Sequence, residues 1–217
     1  MDRASLLVGA PSAPRFDPGA PVAIQAEPGR VLGLVGPPGF GLTRLGLSLL
    51  AAPSLTGMVA VVDVRGWLCP VAAWEVGIIP ERLVVVRCPD RRRWLQVTAS
   101  LLEGFPVVFA EVPAGAGEAD LRRLAALSRA RRSALVLRPV SGDLPAGLLH
   151  LRIEATAVRW EGVDRGHGAL LRRRLTFRTS GKGARGIEQV MEMEDDGTHA
   201  VRLVPGLAAA PSGLAAG

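Results

Sequence analysis

Arg30-Val-Leu-Gly-Leu-Val35 runs directly into Gly36-Pro-Pro-Gly-Phe-Gly41-Leu42-Thr43, and apolar residues then recur at helical spacing from Thr43 to about Ala52. A short apolar run, a glycine-rich turn and a helix make up the strand–loop–helix unit of a phosphate-binding loop. Such a loop needs Gly-x-x-x-x-Gly-Lys-[Ser/Thr]: backbone N–H groups cradle the phosphates, the lysine reaches the terminal phosphate and the hydroxyl binds magnesium. Gly36, Gly39, Gly41 and Thr43 keep the pattern, but Leu42 stands where the lysine belongs. Pro37 and Pro38 remove two further N–H donors. Losing a cation that touches phosphate forfeits a charge-assisted hydrogen bond worth about 1.5–3 kcal/mol. The motif alone leaves two readings at even weight, a degenerate phosphate loop and a ligand-free glycine turn. An intact nucleotide site is the least favoured.

Outward from this unit, apolar runs alternate with helical patterns. Strands are expected at Met58–Asp63, Leu83–Arg87, Pro106–Glu111 and Ala134–Leu137. Between them lie a weak helix at Pro70–Val76, a helix from an Asp90 N-cap to Leu102, and one starting at Glu118 or Asp120. The last of these has Leu121, Leu124, Ala125 and Ser128 on one face. This βαβαβαβαβ order predicts an α/β fold with a mostly parallel sheet. After Gly147 the chain reads Leu149–Glu154, Leu170–Arg178 and Ile187–Met193 with alternating charges, which predicts antiparallel strands with one wet face. Residues 1–28 are expected to form a Pro/Gly-rich arm, 29–204 the core domain and 205–217 a flexible tail.

The 217 residues, 48% hydrophobic and 21% charged, suit one globular domain. The net charge of +6 permits an acidic or nucleic-acid partner without demanding one, and Lys182 is the one lysine among 26 basic residues. Cys69 and Cys88 alone suit a reducing compartment and cannot make a structural zinc site. Asp2, Arg3 and the short apolar stretch Leu6–Gly9 do not make a secretory signal. The longest uncharged run, Leu45–Val62, is interrupted by Ser48, Pro53, Ser54, Thr56 and Gly57, and reads as helix, turn and strand rather than a membrane span.

Several other features read as structural. The triplets Arg91–Arg93 and Arg172–Arg174, with Arg129, Arg131 and Arg132, are expected on a solvated surface. His150, His167 and His199 have no ligand at metal spacing, and Ser141 and Ser180 lack a histidine partner. Trp67, Trp74 and Trp94 are expected in the core, with Trp160, between Arg159 and Glu161, as the exception.

Val61-Val-Asp-Val-Arg65-Gly-Trp-Leu-Cys-Pro70, followed by Val71-Ala-Ala-Trp-Glu-Val-Gly-Ile78, resembles the second-strand segment of RecA, in which Asp-x-Glu precedes a Leu-Asp-Pro turn and a helix ending in Leu-Gly-Val. The resemblance spans about Arg30 to Thr198. It implies a RecA-like P-loop fold, a central mostly parallel sheet flanked by helices with antiparallel C-terminal strands. The water-activating glutamate of the recombinase falls on Arg65, and a guanidinium cannot accept a proton. The Walker B aspartate falls on Glu111. Thr176-Phe-Arg-Thr-Ser-Gly-Lys182-Gly-Ala resembles the segment whose two lysines reach a neighbouring subunit's nucleotide, with Ser180 in the first position and Lys182 in the second. The segments from Val112 to Asp120 and from Arg138 to Leu148, where DNA-binding loops would lie, are short, and the polymerisation helix has no counterpart.

A RecA-like chain so reduced resembles the ImuA family, including its ImuA-prime members. That resemblance implies a non-catalytic accessory protein of damage-induced translesion synthesis in the bacterial cytoplasm, nucleoid-associated when recruited to damage. Its implied partners are an ImuB-like Y-family polymerase relative and an error-prone C-family polymerase complex, with RecA a further candidate. No catalytic residue, cofactor or metal is expected, direct DNA binding is expected to be weak or absent, and self-association stays open. Arg65 is expected to fill the phosphate region and pair with Glu111 or Asp63. The alternatives are a weak P-loop ATPase borrowing Arg44 or a neighbour's Lys182, and a sequence-independent DNA-binding module using the arginine clusters.

Overall fold

In a computed structural model of the chain, residues 24–145, 147–162, 172–184, 189–195 and 202–204 are described. The tail 205–217 and most of the N-terminal arm lie outside them, as do His167 and His199. Ile24 and Ala26, counted with the arm from sequence, pack against the core.

Four strands, β1 (Val31–Val35), β2 (Val59–Asp63), β4 (Val107–Val112) and β5 (Ala134–Pro139), are buried along almost their whole length, as uninterrupted Val/Leu/Ala runs require when both faces of a parallel sheet are covered. β3 (Leu83–Arg87) is half-buried because it forms one edge. The order of the nine-stranded sheet is β3-β2-β4-β5-β1-β6-β7-β8-β9. β1 is therefore central, as expected for a phosphate-loop strand.

Helices α1 (Leu42–Ser54) and α2 (Pro70–Glu75) contribute to the core on one face; α3 (Arg91–Gly104) and α4 (Glu118–Arg131) contribute to it on the other. Asp90 caps α3 by accepting a hydrogen bond from Arg92 N at 2.8 Å. The buried stripe of α4 is Leu121, Leu124, Ala125 and Ser128. Ser128 Oγ donates to Ser133 O and Ser133 Oγ to Phe105 O, both at 2.7 Å, so these buried hydroxyls are satisfied.

Two expectations are corrected. β6 (Leu151–Glu161) was read as part of an antiparallel meander, yet it pairs in parallel with β1 and in antiparallel fashion with β7 (Arg172–Ser180). Its first half, with Leu151, Ile153 and Ala155 buried and Arg152 and Glu154 between them half-buried, carries the alternation seen in sequence, and this same half packs into the main core and pairs with β1. β8 (Gln189–Asp195) and β9 (Arg202–Val204) continue the antiparallel part, and β9 had no sequence signal. Secondly, Trp94 alone of the three expected core tryptophans is buried; Trp67 is 76% and Trp74 46% exposed. Trp67 follows β2 in a turn, and Trp74 lies on the outer side of a six-residue helix that buries Ala73 instead. Trp160 is half-exposed with the Arg173 guanidinium over its ring at 5.3 Å.

The approach of α1 to the sheet depends on Gly46. A Cβ there would stand 2.6–2.9 Å from three ring atoms of Phe109, which is itself 1% exposed and cannot swing away. Gly46→Ala gains about 1 kcal/mol of helix propensity but overpacks a rigid ring at about 1–3 kcal/mol. The variant is expected to be less stable than wild type in urea unfolding, with an unchanged m-value.

Candidate functional site: the carboxyl-end cleft

The carboxyl ends of β1, β2, β4 and β5 meet in a cleft of about 370 Å³, lined by Gly39, Thr43, Asp63, Arg65, Glu111 and Arg138 among others. This is where ligands bind in open α/β sheets. The sequence-predicted residues Gly39, Thr43, Arg65 and Glu111 are thus brought together, while Gly36 and Gly41 frame the loop above them.

Backbone conformation dictates the glycines of this loop. Gly36, Gly39 and Gly41 have φ of 148°, 85° and 70°, a region that favours glycine. Gly41 caps α1 in the left-handed conformation, and a Cβ on it would come within 2.8 Å of Leu175 Cδ1 and 3.2 Å of an Arg173 guanidinium nitrogen. The geometry of a phosphate loop is kept, but its charge is altered. Leu42 is 1% exposed and belongs to the hydrophobic core with Leu175 and Ala155. The position that carries the phosphate-contacting ammonium elsewhere is here a packing residue.

At the far wall both carboxylates are engaged. Asp63, 2% exposed, accepts from Gly66 N (2.8 Å) and Trp67 N (3.3 Å) through Oδ1 and from Leu68 N (3.0 Å) through Oδ2. It thereby organises the turn that follows β2. Glu111, 5% exposed, accepts from Val64 N and Arg65 N through Oε2, each at 3.1 Å. Its Oε1 takes Arg65 Nε at 2.9 Å, Arg65 Nη2, and Arg138 Nη1 at 3.3 Å. Arg65 therefore meets Glu111, not Asp63. Arg65 also lies over the Trp67 ring, 5.0 Å from its centre. From the α3 side, Trp94 Nε1 donates to Glu111 O at 2.7 Å and fixes the backbone at the end of β4.

Arg138 is the site residue that sequence reasoning missed. Its one available signal is that it ends the apolar run Ala134–Leu137 at the same end of the sheet as Glu111. It is 6% exposed. Burial first, and the Arg65 charge second, pull its pKa below the ordinary guanidinium value, while Glu111 opposes the shift.

Other predicted residues lie elsewhere. Lys182 sits in a 3-10 turn after β7, at the amino end of β1, and Ser180 ends β7 on that same side. Arg44, a proposed surrogate cation, joins α1 to α2 through a 3.1 Å bond from Nη1 to Glu75 Oε2. Ala116 N donates to Pro113 O at 3.2 Å, so the segment between β4 and α4 is a tight turn. Arg91, Arg92 and Arg93 are exposed. Cys69 is exposed and Cys88 buried, with burial raising the Cys88 thiol pKa.

A magnesium–nucleotide complex needs a cation on the loop and a carboxylate with free oxygen lone pairs beside it. Leu42 supplies no cation, and Glu111 is committed to two guanidinium groups and two backbone N–H groups. The donor set does not fit that ligand. Among the described residues no group of three or more His, Cys, Asp or Glu side chains could hold a metal, and no helix is long and apolar enough to cross a membrane.

Comparison with known proteins agrees with this architecture. No curated protein matches the sequence. Among solved structures, the chain is similar to the RadB recombinase, with a TM-score of 0.52 and 16% identity over 76% of this chain and 87% of that one. At such low identity the likeness establishes the fold, which is RecA-like. The family model described as "MT3502 N-terminal domain" matches residues 25–142, more than half of the chain and the whole segment from the phosphate-loop strand through β5, so the protein belongs to the MT3502 N-terminal domain family.

Proposed function

We propose that this protein is a non-catalytic RecA-like accessory protein of damage-induced translesion DNA synthesis, acting through protein contacts with a Y-family polymerase relative of the ImuB type, its associated C-family polymerase, and RecA. The observation that carries the non-catalytic part is the Glu111 carboxylate closed by Arg65 and Arg138 where a recombinase keeps a metal-side acid and a general base. A guanidinium neither accepts a proton from water nor leaves its carboxylate partner without cost. The likeness to ImuA in length and in lost motifs supports the mutagenesis setting. Support for a docking role comes from the rim of the cleft, where Trp67, Val71 and Trp74 are 76%, 47% and 46% exposed. Exposed tryptophan is costly to leave in water and is enriched at the energetic centres of protein interfaces.

Three outcomes test the proposal. Purified protein is expected to show no magnesium-dependent ATP hydrolysis above background, and Leu42→Lys is expected to restore none, because Arg65 still occupies the place of the base. Steady wild-type turnover that disappears in Thr43→Ala would refute the reading. Secondly, Glu111→Ala leaves Arg138 buried without its counter-charge, so it is expected to lower unfolding free energy by about 3–5 kcal/mol in urea titration. An unchanged midpoint would mean that the carboxylate is free for another task. Thirdly, co-expression with a Y-family polymerase relative is expected to yield a complex that Trp67→Ala/Trp74→Ala weakens at least tenfold, as for interface tryptophans worth about 2 kcal/mol or more. Equal affinity of the double variant and wild type would remove the rim from the interface.

A further inference from the structure

Several described arginines have a carboxylate partner: Arg44 has Glu75, Arg122 has Glu118, Arg131 has Glu103 and Arg152 has Asp143. The departure lies at the amino ends of β1 and β6, the end of the sheet opposite the glycine loop. A pocket of about 270 Å³ there is lined by Arg30, Arg129, His150 and Lys182, which come from four separate segments, and no carboxylate lines it. Glu27 stands 3.9 Å from Arg30 on the exposed side. Among the described residues no carboxylate lies within salt-bridge distance of Arg129 or Lys182.

Backbone contacts bring these segments together. His150 N donates to Val31 O and Gly183 N donates to His150 O, both at 2.8 Å, which binds the loop before β6 to β1 on one side and to the Lys182 turn on the other. A Cβ on Gly183 would come within 2.9 Å of His150 Nε2, and one on Gly181 within 2.7 Å of His150 O, so glycine at both positions lets the lysine turn lie against the histidine. Gly29, with φ of 75°, lies against the end of α4, where its Cβ would be 3.6 Å from Arg129 Cα. Arg129 and Lys182 thus bring two cations without a carboxylate partner to one hollow, beside Arg30 and an imidazole, an arrangement that attracts an anion.

We propose that this pocket is a phosphate-binding site, taking the terminal phosphate monoester of a small ligand or of a nucleic-acid end. A carboxylate is planar and is satisfied by the fork of a single arginine, whereas a tetrahedral dianion accepts donors from several directions, and basic residues of four segments line this pocket. The pocket lies about 17 Å from the glycine loop, the length of the five-residue β1, and does not depend on the reading of the cleft.

Calorimetric titration of the full-length protein at low salt tests the site with inorganic phosphate, a nucleoside monophosphate, and a short single-stranded oligonucleotide with and without a 5′ phosphate. Phosphorylated ligands are expected to bind at one-to-one stoichiometry, and Arg129→Gln/Lys182→Gln to weaken them by roughly tenfold or more. Lys182→Gln alone, at an exposed position, is expected to weaken them in the same direction and guards against a folding defect. Arg122→Gln, on the solvent side of α4 and outside the pocket, is expected to bind as wild type. Preference for the phosphorylated oligonucleotide over free phosphate identifies a nucleic-acid end as the source, and equal binding of the mononucleotide identifies a small ligand; both support the site. Equal binding of the oligonucleotide without its 5′ phosphate, unchanged affinity in both variants, or no binding at millimolar concentration would overturn it. A Thr43→Ala control, expected to be silent here, separates this site from the cleft.

Discussion

The Glu111 carboxylate holds the business end of this molecule together. It lies at the end of β4, nearly excluded from water, and four groups from two neighbouring strands and their turns converge on it. Two of them carry full positive charge, and one, Arg138, is as buried as the acid itself. Taking three charges out of water is tolerable only when every oxygen lone pair and most N–H groups find partners. That condition fixes where the turn after β2 can go, since Val64 N and Arg65 N must reach the same oxygen. Asp63 then sets the continuation of the turn by binding the next three N–H groups. Arg65, Glu111 and Arg138 thus form a closed electrostatic knot at the carboxyl end of the sheet.

Most of the buried apolar surface lies away from this cluster. The four inner strands are apolar on both faces, and the two helical layers bury Leu42, Leu47 and Leu50 on one side and Trp94, Leu102 and Leu124 on the other. Leu42, at the position of the lysine in a phosphate-loop motif, is part of that core. Loop geometry, set by the three glycines, does not depend on a charge at position 42. A widely shared fold of this kind does not by itself assign chemistry, which rests on the residues of the site.

Much of this was legible in the sequence. Uninterrupted runs such as Val59–Asp63 and Ala134–Leu137 could only be buried strands, and the spacing of Leu121, Leu124, Ala125 and Ser128 named the inner face of α4. The resemblance placed Arg65 with Glu111 or Asp63 at one end of the sheet, and the structure selects Glu111. What stayed hidden depended on tertiary surroundings. Arg138 differs from a surface arginine only through what lies across from it, and local pattern carries no such information. Trp67 and Trp74 look like core residues by composition, and their exposure results from a turn pinned by Asp63 and a helix too short to bury more than one side. The parallel pairing of β6 was concealed because the alternation of Leu149–Glu154 is shared by a strand with one parallel and one antiparallel neighbour, and local pattern does not say which strand lies alongside.

β6 has a consequence for how the chain is made. The two strands that flank β1 begin at Ala134 and Leu151, more than a hundred residues downstream, and β6 also carries the whole antiparallel extension. During synthesis the glycine loop and its strand emerge well before either neighbouring strand, and both hydrogen-bonding edges of β1 stay open until about a hundred further residues have followed. Closure is therefore a late event that links distant parts of the chain, which makes for slow folding and a long interval in which the apolar β1 is available to holdase chaperones.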